Sequence, residues 1–424
     1  MTLSQRDQEH LWHPLTQHKT AGEMLAIKRA KAALLFDENG KSYIDGISSW
    51  YTAMYGHCND FIIEKVHAQM QQLDQIVFSG FTHEPAIKLS EELIKILPLG
   101  QQKLFFSDNG STATEIGIKM ALQYHFNKGN DRKVMLAFEE GFHGDTFGAM
   151  SVSGLSVYNG AFQDHFIKVE RIPVPNGKNN AEVLEKLDVF LKQKNIAGFI
   201  YEPLVQGAAA MKMHDATGLN EILKRCKASE VICVADEVMT GFGKTGKNFA
   251  SDYLEIKPDI ICMSKALTAG LLPMAVTSCT QQIYNAFYDD DISKGLFHGH
   301  TYTANPLACA AALAGIELLN SEEIQQQIKN VTASHKAFFQ KIKNHPKVEN
   351  QRQLGVICAF DVKLETGENE RYGNLRKKMY DFFMARGIYL RPLGNTIYIL
   401  APFVITQEQL QKVYTVIEDL LDEI

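Results

Sequence analysis

No apolar stretch in these 424 residues approaches the length of a membrane span, and the opening segment, "MTLSQRDQEHLWHPLTQHKT", has no apolar core of secretory-signal size. The chain is expected to work in the cytoplasm and off the membrane. Long basic runs are missing too: 43 Lys and Arg are scattered against 49 Asp and Glu, a formal net charge of −6, with no stripe to track a phosphate backbone. Nucleic acid is not an expected partner. Cysteine is sparse, with seven residues at 58, 226, 233, 262, 279, 309 and 358 and no CxxC, which excludes a disulfide framework and fits reduced core thiols. Metal-ligand patterns are thin as well. His298 and His300 have HxH spacing in "FHGHTYTANP", but no nearby carboxylate or cysteine completes a set, so no metal is expected. Internal repeats and low-complexity linkers are absent.

What is present is an alternation. From about 100 to 280, short apolar runs ("KLFFS", "KVMLAF", "AGFIYEPLV", "EVICVADEV", "DIICMS", "MAVTSCT") alternate with helical patterns such as "STATEIGIKMALQYHF". Continuous apolar strands between amphipathic helices predict an α/β fold, a large domain with a mostly parallel sheet covered by helices on both faces. Chemistry in such sheets collects beyond the carboxyl ends of the strands. After 304 the texture changes to the long helix "NPLACAAALAGIELL", then charged helices and the short strands "VICAFDV" and "TIYILAPF". This is read as a smaller α+β domain. "ALLFDENGKSYIDGISSW" carries an "ENG" hairpin signal and is expected to join it. The boundaries read as 1–54 for the N-terminal part of the small domain, 55–303 for the large domain and 304–424 for the C-terminal part.

Four positions could carry chemistry. Lys265 follows the apolar run "DIICMS"; an amine desolvated there loses affinity for its proton and can attack a carbonyl to form a Schiff base. From position alone it could equally snorkel to the surface. Asp236 and Glu237 end the most hydrophobic strand, and a buried acid needs a cationic partner, such as the protonated ring nitrogen of pyridoxal phosphate, unless it caps a helix or pairs with an arginine. In "FFSDNGSTATE", Gly110 and Ser111 open a helix whose free amides could bind a phosphate; alone, the pattern is an ordinary N-cap. In "GFHGDTFG", Phe142 could stack on a planar cofactor or simply fill a turn. "GFGKTGKN", residues 241–248, mimics a nucleotide-binding loop, but Asn248 stands where magnesium needs Ser or Thr, and the segment after it is a poor long helix. A glycine-rich loop shaping a site wall is the better reading.

In chain order, these features resemble the class III pyridoxal-phosphate aminotransferases of fold type I. "ADEVMTGFGKTGKNFA" followed by "KPDIICMSKALTAGLLPMA" is similar to that class's signature, and the resemblance covers nearly the whole chain. Within the class, "HLWHPLTQ", "DGISSWYTAMYGH", "FHGDTFGAMSVSG", "EPLVQGAAAMKM" and "RPLGNTIYILAPF" resemble the branch serving biotin synthesis. In that branch an amino group passes from S-adenosylmethionine, or in some members lysine, to an amino-oxo acid. The resemblance implies pyridoxal 5'-phosphate as cofactor, Lys265 as its lysine, Asp236 at the ring nitrogen, and Gly110 and Ser111 at the phosphate. It further implies a homodimer with active sites at the interface, in which His300 and Thr301 reach the neighbouring subunit's phosphate. Trp50 and Gly299 would border the small-molecule substrate, Phe142 would lie over the cofactor, Leu15 would stand at the substrate's edge, and Arg391 would take a carboxylate. Leu15 and Phe142 stand where the family commonly has Tyr, each removing a hydroxyl, and His300 where Pro is common. The rivals are another class III ω-amino acid or diamine aminotransferase and a non-catalytic pyridoxal-phosphate-binding protein.

Overall fold

The computed structural model describes residues 1–156, 159–364 and 374–424. Its centre is a seven-stranded sheet: β1 (Gln101–Ser107), β2 (Val134–Phe138), β3 (Val169–Ile172), β4 (Ile196–Tyr201), β5 (Ile232–Asp236), β6 (Ile260–Met263) and β7 (Ala275–Thr280). The spatial order is β1-β7-β6-β5-β4-β2-β3. β7 runs antiparallel to both neighbours, and every other pairing is parallel. β2, β4, β5 and β6 are buried along their whole length, as continuous Val, Ile and Leu runs must be when helices cover both faces. Helix Gly110–Asn127 covers one face through Ala113, Ile116, Met120 and Ala121, and helix Ala216–Ala228 lies on β5.

Besides the two-stranded pair Val205–Gln206 and Lys212–Met213, two smaller sheets flank this centre. Val348–Leu354, Ile357–Val362 and Thr396–Ile399 form an antiparallel three-stranded sheet. The other joins the two ends of the chain: Ile27–Lys31, Leu34–Asp37 and Ser42–Asp45 run antiparallel, and Ile388–Tyr389 adds in parallel to Ser42–Asp45. The "ENG" turn closes the second hairpin, with Gly40 at φ +85. Helix Pro306–Leu319 starts from the Asn305 cap, is apolar on nearly every face, and packs against helices Asp60–Met70 and Glu84–Ile96 and the turn after Lys265. One apolar core runs from the central sheet through this helix to the small sheet and the final helix, Gln407–Glu423. Each fully buried Leu, Ile or Phe in it contributes about 1.5–3 kcal/mol.

Six of the seven cysteines are buried; Cys58 is exposed, against the expectation of core thiols, because the "GHCND" turn that carries it lies at the surface with φ +49. After the glycine-rich loop the chain makes only a short 3-10 turn, Ala250–Tyr253, in place of the helix a nucleotide-binding loop requires. No helix among the described residues is long and apolar enough to cross a membrane.

Candidate active site

The carboxyl ends of β4, β5 and β6 deliver Glu202, Asp236 and Lys265 to one edge of the central sheet. β6 ends at Met263, Ser264 Oγ donates to Met274 O at 2.8 Å, and Lys265 begins a 3-10 turn at φ +50. Its Nζ lies 5.2 Å from the Tyr51 ring centroid and forms no hydrogen bond or ion pair among the described residues. Burial lowers the affinity of Lys265 for its proton, and the carboxylates of Asp236 and Glu202 only partly oppose this. An amine so placed is nearer to its nucleophilic, neutral form than a surface lysine.

Asp236 is 4% exposed. Its Oδ1 accepts the Val238 N–H at 3.0 Å, and its Oδ2 lies 2.7 Å from His143 Nδ1. The His143 side chain is fully buried, its backbone N–H donates to Ser153 Oγ at 2.9 Å, and its Nε2 has no hydrogen-bond partner among the described residues. Glu202 accepts the amides of Phe142 (3.0 Å) and Gly207 (2.9 Å), tying the loop after β2 to the end of β4. Burial pushes the Glu202 carboxyl up to about 7, with the charge on His143 drawing it down and that on Asp236 adding to the rise. The Phe142 ring, held by that amide bond, is 39% exposed.

The start of helix Gly110–Asn127 lies at the same edge. Asn109 Oδ1 accepts the Thr112 N–H at 3.0 Å, and the Ala113 amide is taken by Asn109 O. The amides of Gly110 and Ser111 are left without a partner among the described residues, which suits an anion. Close packing explains the glycines: a Cβ on Gly110 would come within 2.8 Å of Val238 Cγ1, and one on Gly144, at φ +132, within 2.8 Å of Ser111 Cα. Ser111 Oγ accepts the Asp145 amide at 3.2 Å, so the loop after β2 closes over the helix start. The buried Asp236, the two open amides and the unengaged Lys265 amine are the donor and acceptor types that pyridoxal phosphate would meet at its ring nitrogen, phosphate and carbonyl carbon.

A second arm comes from the chain ends. Ser48, Ser49, Trp50 and Tyr51 adopt φ +49, +45, +62 and +71, one turn of left-handed helix closed by Tyr51 N–H to Ile47 O and Thr52 N–H to Ser48 O, both 2.9 Å. None of the four is glycine, and left-handed helix costs L-residues roughly 1–2 kcal/mol each. The turn sets the Trp50 ring 4.6 Å from the Arg391 guanidinium and brings Tyr51 to Lys265. Arg391 has no carboxylate partner among the described residues. Burial raises the Tyr51 phenol to about 12 and keeps it neutral, with its OH donating to Tyr398 OH at 3.1 Å.

The remaining anticipated residues lie on two other segments. Gly299, His300 and Thr301 share one loop: the His300 amide donates to Thr303 Oγ1 within it at 3.1 Å, and Thr301 O accepts Gln75 Nε2 from a distant segment at 2.7 Å. Phe297 and Tyr302 beside them are 71% and 63% exposed. Leu15 sits at φ +52 on the exposed N-terminal segment. In the glycine-rich loop, Thr245 and Gly246 abut the backbone of Gly355 so closely that a Cβ there would lie 2.2 Å from Thr245 C. The loop is a joint between the central sheet and the small one. Lys244 within it is fully buried, its Nζ 6.0 Å from the Phe242 ring centroid and without a hydrogen-bond partner among the described residues, its pKa lowered to about 7 by burial and then by the charge of Lys265. Three residues of the cluster escaped sequence reasoning: His143, Glu202 and Tyr51. The first had a signal, a lone histidine between glycines after a strand.

The family model described as aminotransferase class-III matches residues 16–421. The chain belongs to the class III aminotransferases, a family of pyridoxal-phosphate-dependent enzymes, and its architecture is their fold type I. Among named relatives, the adenosylmethionine-8-amino-7-oxononanoate aminotransferase of Synechococcus elongatus is 43% identical, across 98% of this chain and 99% of its own. The crystal structure of the Methanocaldococcus jannaschii protein of that name superposes with TM-score 0.92 at 34% identity, covering 98% of each chain. The omega transaminase of Pseudomonas jessenii, solved in complex with PMP, superposes with TM-score 0.93 at 25% identity, covering 100% of this chain and 98% of that one.

Proposed function

We propose that this enzyme moves an amino group from S-adenosylmethionine to 8-amino-7-oxononanoate, giving the 7,8-diaminononanoate of biotin synthesis, in two ping-pong half-reactions. The observation that carries the reading is the pairing of an unengaged Lys265 amine at the Asp236 edge with a guanidinium, Arg391, that lies on Trp50 without a carboxylate partner. The first suits transamination in general; the second suits an acceptor whose carboxylate lies at the far end of an apolar chain. The names of the relatives from S. elongatus and M. jannaschii point to the same acceptor.

Pyridoxal phosphate, when bound, supplies an electron sink that acidifies the carbon bearing the substrate nitrogen. The residues around it divide the remaining work. The Gly110 and Ser111 amides, with the helix N-terminus behind them, would hold the phosphate, and Phe142 would cover the ring. Asp236, fixed by the Val238 amide and by His143, would place negative charge at the ring nitrogen and favour its protonated form. Lys265 Nζ takes the proton from the donor's amine-bearing carbon and later delivers one to C7 of the acceptor. Trp50 lies along the acceptor chain, with Leu15 and Gly299 at its border. In a homodimer, His300 and Thr301 serve the phosphate of the neighbouring site; the exposed Phe297 and Tyr302 beside them support burial against a second copy.

The test uses the enzyme purified with pyridoxal phosphate and mixed with 7,8-diaminononanoate alone, while the visible absorption of the bound cofactor is followed. Loss of that band at low diamine concentration is expected, and it does not depend on the donor. An unchanged band, with simple ω-amino acids bleaching it instead, would transfer the enzyme to the ω-amino acid branch of the class.

A further inference from the structure

The left-handed turn at residues 48–51 does not hold itself. Glycine-free backbone of this hand reverts to right-handed or extended conformations unless something outside the turn outweighs the preference. Asp45 is the centre of what does. Its carboxylate is fully buried; Oδ1 accepts the Ile47 amide at 3.2 Å, and Oδ2 accepts the Ser49 hydroxyl at 2.9 Å and lies 2.8 Å from His57 Nε2. Ser49 Oγ and His57 Nε2 are themselves 3.4 Å apart, so the three side chains close a triangle across the turn. Two further bonds fix its ends: Ser48 Oγ donates to Leu400 O at 2.7 Å, and Thr52 Oγ1 to Ser49 O at 3.0 Å. His57 is held in turn by reciprocal backbone bonds with Ala32, at 2.8 and 3.0 Å.

None of Asp45, Ser49 or His57 contacts Lys265 or Arg391, yet the turn they brace carries both aromatic rings that do. We infer that Asp45, Ser49 and His57 are positioning residues: they clamp the turn in its left-handed form and thereby set the wall, Trp50 and Tyr51, against which the acceptor chain is aligned between Lys265 and Arg391. The acceptor part of this inference rests on the function proposed above; the clamp itself does not.

Trp50 reports on the clamp directly. The chain has two tryptophans, and Trp12 is 90% exposed, so Trp12→Phe leaves Trp50 as the single indole. In that background, His57→Ala is expected to raise acrylamide quenching of Trp50 about twofold and the KM for the amino acceptor about tenfold, with the rate of cofactor amination by the donor little changed. His57→Gln, which keeps an N–H within reach of Asp45, restores both. So does adding Ser49→Gly to His57→Ala, because glycine occupies φ near +45 without a Cβ penalty. A fold merely weakened by the loss of His57 would not be rescued by a glycine. Unchanged quenching in His57→Ala, or raised quenching that Ser49→Gly leaves in place, overturns the clamp. Displaced Trp50 with an unaltered acceptor KM overturns its link to the acceptor. Quenching needs no substrate, so the clamp is decided even if the wild-type enzyme proves to take a different acceptor.

Discussion

Lys265 is a buried amine that forms no ion pair among the described residues, so its burial is only partly offset by the charges of Asp236 and Glu202. Replacing it with Ala is expected to cut turnover about a thousandfold or more while the cofactor-free protein melts no lower than wild type. Turnover within a few-fold of wild type would end its assigned role. Glu202 supplies a second test, with a definite sign. Its folded-state pKa, about 7, lies above its ordinary 4.5, so the folded protein retains a proton that the unfolded chain releases. Stability from this group is therefore present at low pH and is lost as pH rises from about 4.5 to about 7, above which the loss is constant. The melting temperature of wild type relative to Glu202→Gln should fall across that window and stay flat beyond it; a difference independent of pH would show the carboxyl to be already ionised. These residues were unequally legible in sequence. Lys265 and Asp236 announce themselves because an ionisable group at the end of an apolar strand is unusual. Glu202 shares that position at the end of β4, whereas His143 is marked only by the glycines around it: its partner Asp236 lies 93 residues away, and only the tertiary fold introduces the two. The turn at 48–51 is hidden for another reason: left-handed backbone is signalled by glycine, and "SSWY" has none.

At the level of elements, the alternation of apolar runs and helical patterns foretold the covered sheet and the helix starting at Gly110. It did not foretell that β7 is antiparallel. A fully buried strand reads the same in either direction; the usable hint was the connection from β6 to β7, residues 264–274, which is short for a parallel crossover. The helix start itself is testable through its packing. Gly110→Ala drives a methyl into Val238, a β-branched side chain with little rotamer freedom. Cofactor affinity should drop about tenfold as the open amides shift, and Val238→Ala in the same chain should recover most of it. No recovery would mean that the glycine serves the ligand by direct approach and not by close packing.

In the whole molecule, the homodimer proposed above, with a phosphate arm from a second copy, would make activity a property of pairs. Lys265→Ala and Thr301→Asp chains should each be inactive alone. Mixed and allowed to exchange, they should regain about a quarter of the wild-type rate, because half of randomly formed pairs carry one site free of both changes. A mixture as inactive as its components would show each chain to hold a complete site.

The pairing of Ser42–Asp45 with Ile388–Tyr389 has a bearing on how the enzyme is made. Synthesis proceeds at about 5–20 residues per second, and domains condense as they emerge. The segments bearing Gly110, Asp236 and Lys265 leave the ribosome well before the strand and the guanidinium that complete the other arm. A chain truncated ahead of residue 388 keeps the cofactor-side groups but has an unpaired strand edge, prone to association, at Ser42–Asp45. Emergence of residues 388–391 therefore closes the sheet and delivers Arg391 in one event, after the cofactor-side groups are already out, so on the function proposed above a nascent chain would hold its cofactor arm before its means of choosing an acceptor.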